Sequence, residues 1–136
     1  MILFLDTNVI LDVVLERAPW EGEAALLLAA IERRGLRAFV AGHTVTTAHC
    51  VITRARDRAT ASSAVSDLLR IVDVAPIDTT DLSHALVLPF SDFEDAVQAV
   101  GALKVGADYI VTRNERDFRD SSVPVVGPGA ILPLLK

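Results

Sequence analysis

Asp6 stands directly after the apolar run "MILFL" and is followed by Thr7 and Asn8. A carboxylate at the end of a buried strand must be solvated, paired or bound to a cation, because burying it alone is far too costly. Further acids occur in two later segments. Asp92, Glu94 and Asp95 open the stretch "SDFEDAVQAVGAL", and Asp117 closes "VTRNERD", three residues beyond Asn114. Carboxylates brought together from three segments without basic partners repel one another, and a hard divalent cation such as Mg²⁺ or Mn²⁺ relieves that repulsion. Such a cation can activate water and stabilise charge on a phosphoryl group. Ordinary roles compete for some of these acids. Asp92 and Asp95 have the spacing of a helix N-cap pair, Glu94 suits a first helical turn, and Asp117 suits a turn. Asp6 is the hardest to explain structurally.

The elements that must position these groups follow from hydrophobic periodicity. Ile2 to Leu5 predicts a buried strand and Asn8 to Leu15 a short helix. Pro19 and Trp20 open an amphipathic helix whose face is Trp20, Ala24, Leu27, Leu28 and Ile31, stopped by Gly35. Arg37 to Ala41 predicts a second strand, and Thr44 is placed as the cap of a helix running to about Asp57. A helix over Thr60 to Arg70 and a strand over Ile71 to Ala75 follow. Helices over Thr80 to Leu88 and Asp92 to Val105 lead to strands at Asp108 to Val111 and Val123 to Val126, and Pro128 starts a last small helix. Strands alternating with helices imply an α/β layer fold around a mainly parallel sheet of four to five strands. Ligands in such sheets gather at the carboxyl ends of the strands. Asp6, the residues Thr112, Arg113 and Asn114 after the fourth strand, and the helix opening at Asp92 all belong to that rim.

Composition narrows the class. A chain of 136 residues with 51% hydrophobic and 23% charged residues is expected to form one soluble globular domain, residues 1–136. The lone Cys50 excludes an intrachain disulfide, and the N-terminal apolar run is too short and lacks the basic lead of a signal peptide. No apolar stretch approaches the roughly 18 to 20 residues of a membrane span. A cytoplasmic location and no membrane association are therefore expected. A net charge of −5 and a pI near 5.0 argue against coating nucleic acid by bulk electrostatics, though not against holding a polyanion locally. Eleven of the 13 basic residues are arginine, and Arg113, Arg116 and Arg119 cluster near the acids. Asp12 and Glu16 are read as surface partners of Arg17.

The segments "LFLDTNVILD" and "DFEDAVQAVGALKVGADYIVTRNERDF", with the spacing between them, resemble a PIN domain over essentially the whole chain. PIN domains are metal-dependent ribonucleases, common as the VapC-like toxins of toxin–antitoxin pairs. The resemblance implies an α/β/α sandwich around a parallel sheet and one or two Mg²⁺ or Mn²⁺ ions orienting water for in-line attack on an RNA phosphodiester. It implies that Asp6 and Asp95 hold the metal, that Asp117 ligates it directly or through water, and that Asn8, Thr112 and Asn114 order the site. Arg113 or Arg116 would hold the RNA backbone.

One position departs from the family pattern, which usually carries a glutamate in the helix after the second strand. Here that helix reads "HTVTTAHCVITRAR", His49 is taken as the matching position, and no Asp or Glu occurs between Glu32 and Asp57. A histidine on the face of Val45, Ala48 and Ile52 has an ordinary reading as a packed residue. As a ligand it would favour Mn²⁺ over Mg²⁺, with Asp92 or Glu94 compensating for the missing charge. Two functions are therefore expected to compete: a metal-dependent endoribonuclease acting as the toxin of a pair, and a catalytically degenerate PIN-fold module that binds RNA or a protein. A haloacid-dehalogenase-like phosphatase would want an acid where Asn8 stands. An RNA substrate, a small antitoxin and a homodimer are the implied partners, the dimer supported by the tail "AILPLLK" or the apolar face of the Trp20 helix.

Overall fold

A computed structural model of the protein describes residues 1–135, and Lys136 of the apolar tail lies outside the described residues. Five short strands form one parallel sheet: β1 (Ile2–Leu5), β2 (Arg37–Val40), β3 (Asp73–Val74), β4 (Tyr109–Val111) and β5 (Val125–Val126), in the order β3-β2-β1-β4-β5. β1 is central, with Phe4 opposite Phe39 on one side and Ile110 on the other. All its neighbours run parallel, so every link between strands is a crossover that must pass over a face of the sheet.

Six helices supply the crossovers as far as β4, α1 (Thr7–Val14), α2 (Glu21–Arg34), α3 (Gly42–Ala55), α4 (Arg58–Ile71), α5 (Thr79–Val87) and α6 (Phe93–Lys104), and α7 (Pro128–Ile131) follows β5. Side chains of a strand alternate between faces, and β1 shows how this builds three layers. Leu3 and Leu5 pack with Val9, Leu27, Ala48, Leu68 and Ile131, the face covered by α1 to α4 and α7. Phe4 points the other way, into a cluster with Ala99, Ala102, Ile110 and Phe118 under α6. The α/β/α sandwich expected from the sequence is present, with β1 buried on both faces.

The chain leaves β1 toward β2 and β3, then crosses back through α5 and α6 to β4 on the opposite side. This reversal puts a topological switch point between β1 and β4, where a crevice opens beyond the strand ends. Asp6 and Thr112 are the first residues past those two ends.

Several local expectations are corrected. The third strand is only Asp73–Val74, because α4 continues to Ile71 after starting at Arg58; Asp57 caps it by accepting the Thr60 N–H at 2.7 Å. Ala41, not Thr44, is the N-cap of α3, and Thr44 lies buried in its first turn. Trp20 precedes α2 and is 43% exposed instead of joining its apolar face. On the helix and tail read as dimer supports, Ala24, Leu27, Ile31, Ile131 and Leu135 belong to the core, while Leu26 and Leu134 stay exposed. Gly35 does end α2, in the left-handed conformation at φ 61°.

α6 must lie close to the sheet to reach the switch point, and Gly101 permits this. A Cβ there would meet Phe4 at 3.3 Å, Ile77 at 3.4 Å and Ala75 at 3.6 Å. Gly101→Val is therefore expected to overpack this contact and lower stability by about 1–3 kcal/mol, read as a lower urea midpoint with an unchanged m-value.

Candidate metal centre

Asp6 leaves β1 with its N–H donating to the Val111 carbonyl at 3.0 Å, which ties it to the end of β4. It precedes α1 with extended backbone, yet its side chain makes no capping bond to that helix. Both carboxylate oxygens are held elsewhere. Oδ1 accepts from Gln98 Nε2 at 2.9 Å and Oδ2 from Thr112 Oγ1 at 2.8 Å. Asp6 is only 2% exposed, and neither partner carries charge. Each oxygen retains a further lone pair, directed by these two bonds.

Gln98 organises the centre. It lies one turn after Asp95 on α6, and its amide nitrogen also reaches Asp95 Oδ1 at 3.4 Å. Its Oε1 accepts from the Thr7 N–H at 3.1 Å and from Thr7 Oγ1 at 3.4 Å, while Thr7 and Thr44 share a hydroxyl contact of 2.7 Å. One neutral amide thus spans two carboxylates and is itself oriented by α1 and, through Thr7, by α3. The Asn114 N–H donates to Thr112 Oγ1 at 3.0 Å, so the turn after β4 is fixed to the same network.

Asp95 carries the electrostatic strain. Burial, then the charges of Asp6, Asp92 and Asp117, push its carboxyl up to about 7, against a smaller lowering by the Gln98 bond. No Lys or Arg among the described residues pairs with it. Asp117, exposed on the short 3-10 helix Glu115–Phe118, is near enough to contribute to that repulsion. Asp92 takes the ordinary role foreseen for it, capping α6 by accepting the Asp95 N–H at 3.0 Å. Glu94 is exposed and stands 3.5 Å from His43 Nε2. Asn8, Thr47, Asp92 and Glu94 complete the walls of a cleft of about 220 Å³ that contains Asp6 and Asp95.

His49 does not face this cleft. Its Nε2 lies 3.2 Å from Ser62 Oγ on α4, and Thr47 is the α3 residue that lines the carboxylate cleft. Two residues along a helix are about 200° around it, so a side chain two positions from Thr47 must point away. Asp12 is also corrected. It is 1% exposed, not a surface partner, and accepts from Arg113 Nε at 2.8 Å, with Arg17 Nε 3.7 Å away. The Arg113 guanidinium lies 3.8 Å over the Trp20 ring, so this arginine is anchored between a buried carboxylate and an indole.

Gln98 and Thr47 were missed as site residues. The signal for Gln98 was an amide inside the small apolar run of α6, one turn from an acid. Thr47 gave none, since it is one of six hydroxyl- or imidazole-bearing residues on that helix.

The donors fit a hydrated hard cation. They are all oxygens, and Asp95 has an unmet need for positive charge. Among the described residues no three His, Cys, Asp or Glu side chains form a ligand cluster by themselves. An all-oxygen donor set of this kind suits Mg²⁺, which is commonly held by one or two carboxylates and completed by water.

The PIN domain profile matches residues 3–116, and the chain belongs to the PIN-domain family, whose members are generally metal-dependent ribonucleases. Solved structures share its fold. VapBC2 from Rickettsia felis, bound to a promoter DNA fragment, is 13% identical with a TM-score of 0.68, covering 93% of this chain and 98% of that one. VapBC-1 from Haemophilus influenzae is 19% identical with a TM-score of 0.68, covering 94% and 98%. VapC20 from Mycobacterium tuberculosis, described as a sarcin-ricin loop cleaving toxin, is 17% identical with a TM-score of 0.62, covering 79% and 86%. No curated protein matches the sequence.

Raising a carboxyl from 3.8 to about 7 makes folding favour the protonated form. That contribution is complete below the unfolded value and is lost as pH rises through the folded one. Metal-free Asp95→Asn is therefore expected to gain stability over the wild type at pH 8 and to match it at pH 3, in urea melts at both. A loss at pH 8 would contradict the repulsion described.

Proposed function

We propose that the protein is a metal-dependent endoribonuclease, formed as one domain over the chain and acting as the toxin of a toxin–antitoxin pair. The observation that carries this reading is the Asp6–Asp95 pair at the switch point, bridged by a neutral amide and paired with no basic side chain among the described residues. Asp6 presents a fixed lone pair on each oxygen, and Asp95 gains a reason to ionise when positive charge is beside it. Asp117, whose charge already acts on Asp95, is suited to hold a water. Thr112 and Asn114 keep the β4 turn in register with Asp6, and Asn8 closes the near wall. Mg²⁺ or Mn²⁺ bound here would stabilise charge on a phosphodiester and acidify a water. Arg113 is committed to Asp12, which leaves Arg116 as the nearer candidate for the RNA backbone.

An antitoxin partner is supported by the fold shared with the VapBC structures. A homodimer and a cytoplasmic setting belong to the same proposal. No helix among the described residues is long and apolar enough to cross a membrane.

One observation favours a second reading, a PIN module that binds RNA or a protein without cutting. α3 offers the cleft Thr47, a hydroxyl, where a carboxylate would add ligand charge. A single assay separates the two. The purified protein is expected to cleave structured RNA with Mn²⁺ or Mg²⁺, and Asp6→Asn is expected to lower the rate at least a hundredfold. Cleavage that appears only in Thr47→Glu would establish the degenerate module instead.

A further inference from the structure

The carboxylate cleft creates an electrostatic problem for a polyanionic substrate. Asp6, Asp92, Glu94, Asp95 and Asp117 surround it, and the chain as a whole carries −5. Cations that engage RNA must lie beside the acids, not among them. Arg113 is excluded by its bonds to Asp12 and its stacking on Trp20. The next two arginines, Arg116 and Arg119, are both exposed and line a separate cleft of about 150 Å³. Asp117 lines that second cleft and is also close enough for its charge to act on Asp95, which links the two spaces.

The second cleft is built rather than incidental. Its walls are the turn Pro89 to Ser91 and the 3-10 helix with the residues after it. Phe90 and Phe118 join those walls edge to face, with ring centres 6.1 Å apart and planes at 77°. Phe118 is buried, which anchors the turn that displays both arginines. Arg116 makes no ion pair among the described residues. The only acid paired with Arg119 is Asp120 at 3.9 Å, an exposed contact of little strength. Two guanidiniums with free donors and the Ser91 hydroxyl thus line one small polar space, together with the carboxylates of Asp117 and Asp120.

We infer that this cleft is a phosphate subsite for RNA, taking the phosphodiester next to the one at the acid centre. The backbone then runs from the Asp6–Asp95 cleft past Asp117 to Arg116 and Arg119. Guanidinium groups match phosphate oxygens with paired N–H donors, which a point charge cannot do. This inference rests on the ribonuclease reading for the identity of the ligand, but its test does not depend on cleavage.

The test is fluorescence anisotropy of a short fluorescein-labelled oligouridylate with the full chain, in Ca²⁺ buffer, across a range of NaCl concentrations. The double variant Arg116→Ala/Arg119→Ala is expected to bind at least tenfold more weakly. The slope of log affinity against log salt should become shallower by about 0.7, the value for one phosphate contact on a single strand. Arg116→Lys should keep the slope while losing part of the affinity. Arg56→Ala, at the end of α3 on the opposite rim, should change neither. An unchanged slope and affinity in the double variant, or no binding by the wild type, would overturn the inference. Cleavage by the double variant with an unchanged KM would sink the subsite and leave the nuclease reading intact. RNA binding that depends on the two arginines, in a protein that cuts no RNA, would do the reverse.

Discussion

The bonds from Gln98 and Thr112 to the buried Asp6 carboxylate are the contacts on which the rest of the site depends. Asp6 is placed by the central strand and cannot move to solvent, so whatever holds it must come from neighbouring elements. Thr112 comes from the end of the adjacent parallel strand and Gln98 from the helix that returns to that strand. For Gln98 to reach, α6 must approach the sheet closely. The run Ala96, Ala99, Gly101 and Ala102 has side chains small enough to allow it. The packing of α6 on the sheet and the geometry of the carboxylate are consequences of one requirement.

Two carboxylates on neighbouring elements are nearly fully buried, and the difference between them defines the site. Asp12 is neutralised by Arg113, with Arg17 nearby, and its role is to anchor the turn between Thr112 and Asn114. Asp6 receives only neutral donors and faces Asp95, whose carboxyl is driven up by burial and by surrounding acids. A charged pair inside a protein closes upon itself. A carboxylate oriented by neutral hydrogen bonds keeps its negative potential directed outward, toward a cation. The chain thus separates a closed ion pair from an outward-facing carboxylate by the charge of the partners it supplies.

Much of the fold was legible because strands such as "ILFL" and "YIV" are short runs without charge, separated by helix-length segments with clear stops. The convergence of Asp6, Asp95 and Asp117 followed from the rule that parallel sheets gather ligands at their carboxyl ends. Residues whose partners are distant in sequence were harder to read. Asp12 lies on a helix that also contains solvent-facing positions, and its pairing with Arg113 spans 101 residues. The direction in which His49 points depends on the helix phase, which periodicity alone does not fix. Thr44, buried in the first turn of α3 instead of capping it, sets that phase. Trp20 was assigned to an apolar face on periodicity alone, whereas a guanidinium covers its ring.

The account's central claim is that Asp6 and Asp95 together form a cation site. Anomalous diffraction from crystals soaked in Mn²⁺ tests it most directly. The account predicts a peak within about 2.0–2.4 Å of an oxygen of Asp6 and of Asp95, with Gln98 still bonded to Asp6. A map with no peak in this cleft at millimolar Mn²⁺, or a peak that excludes Asp6, would contradict it.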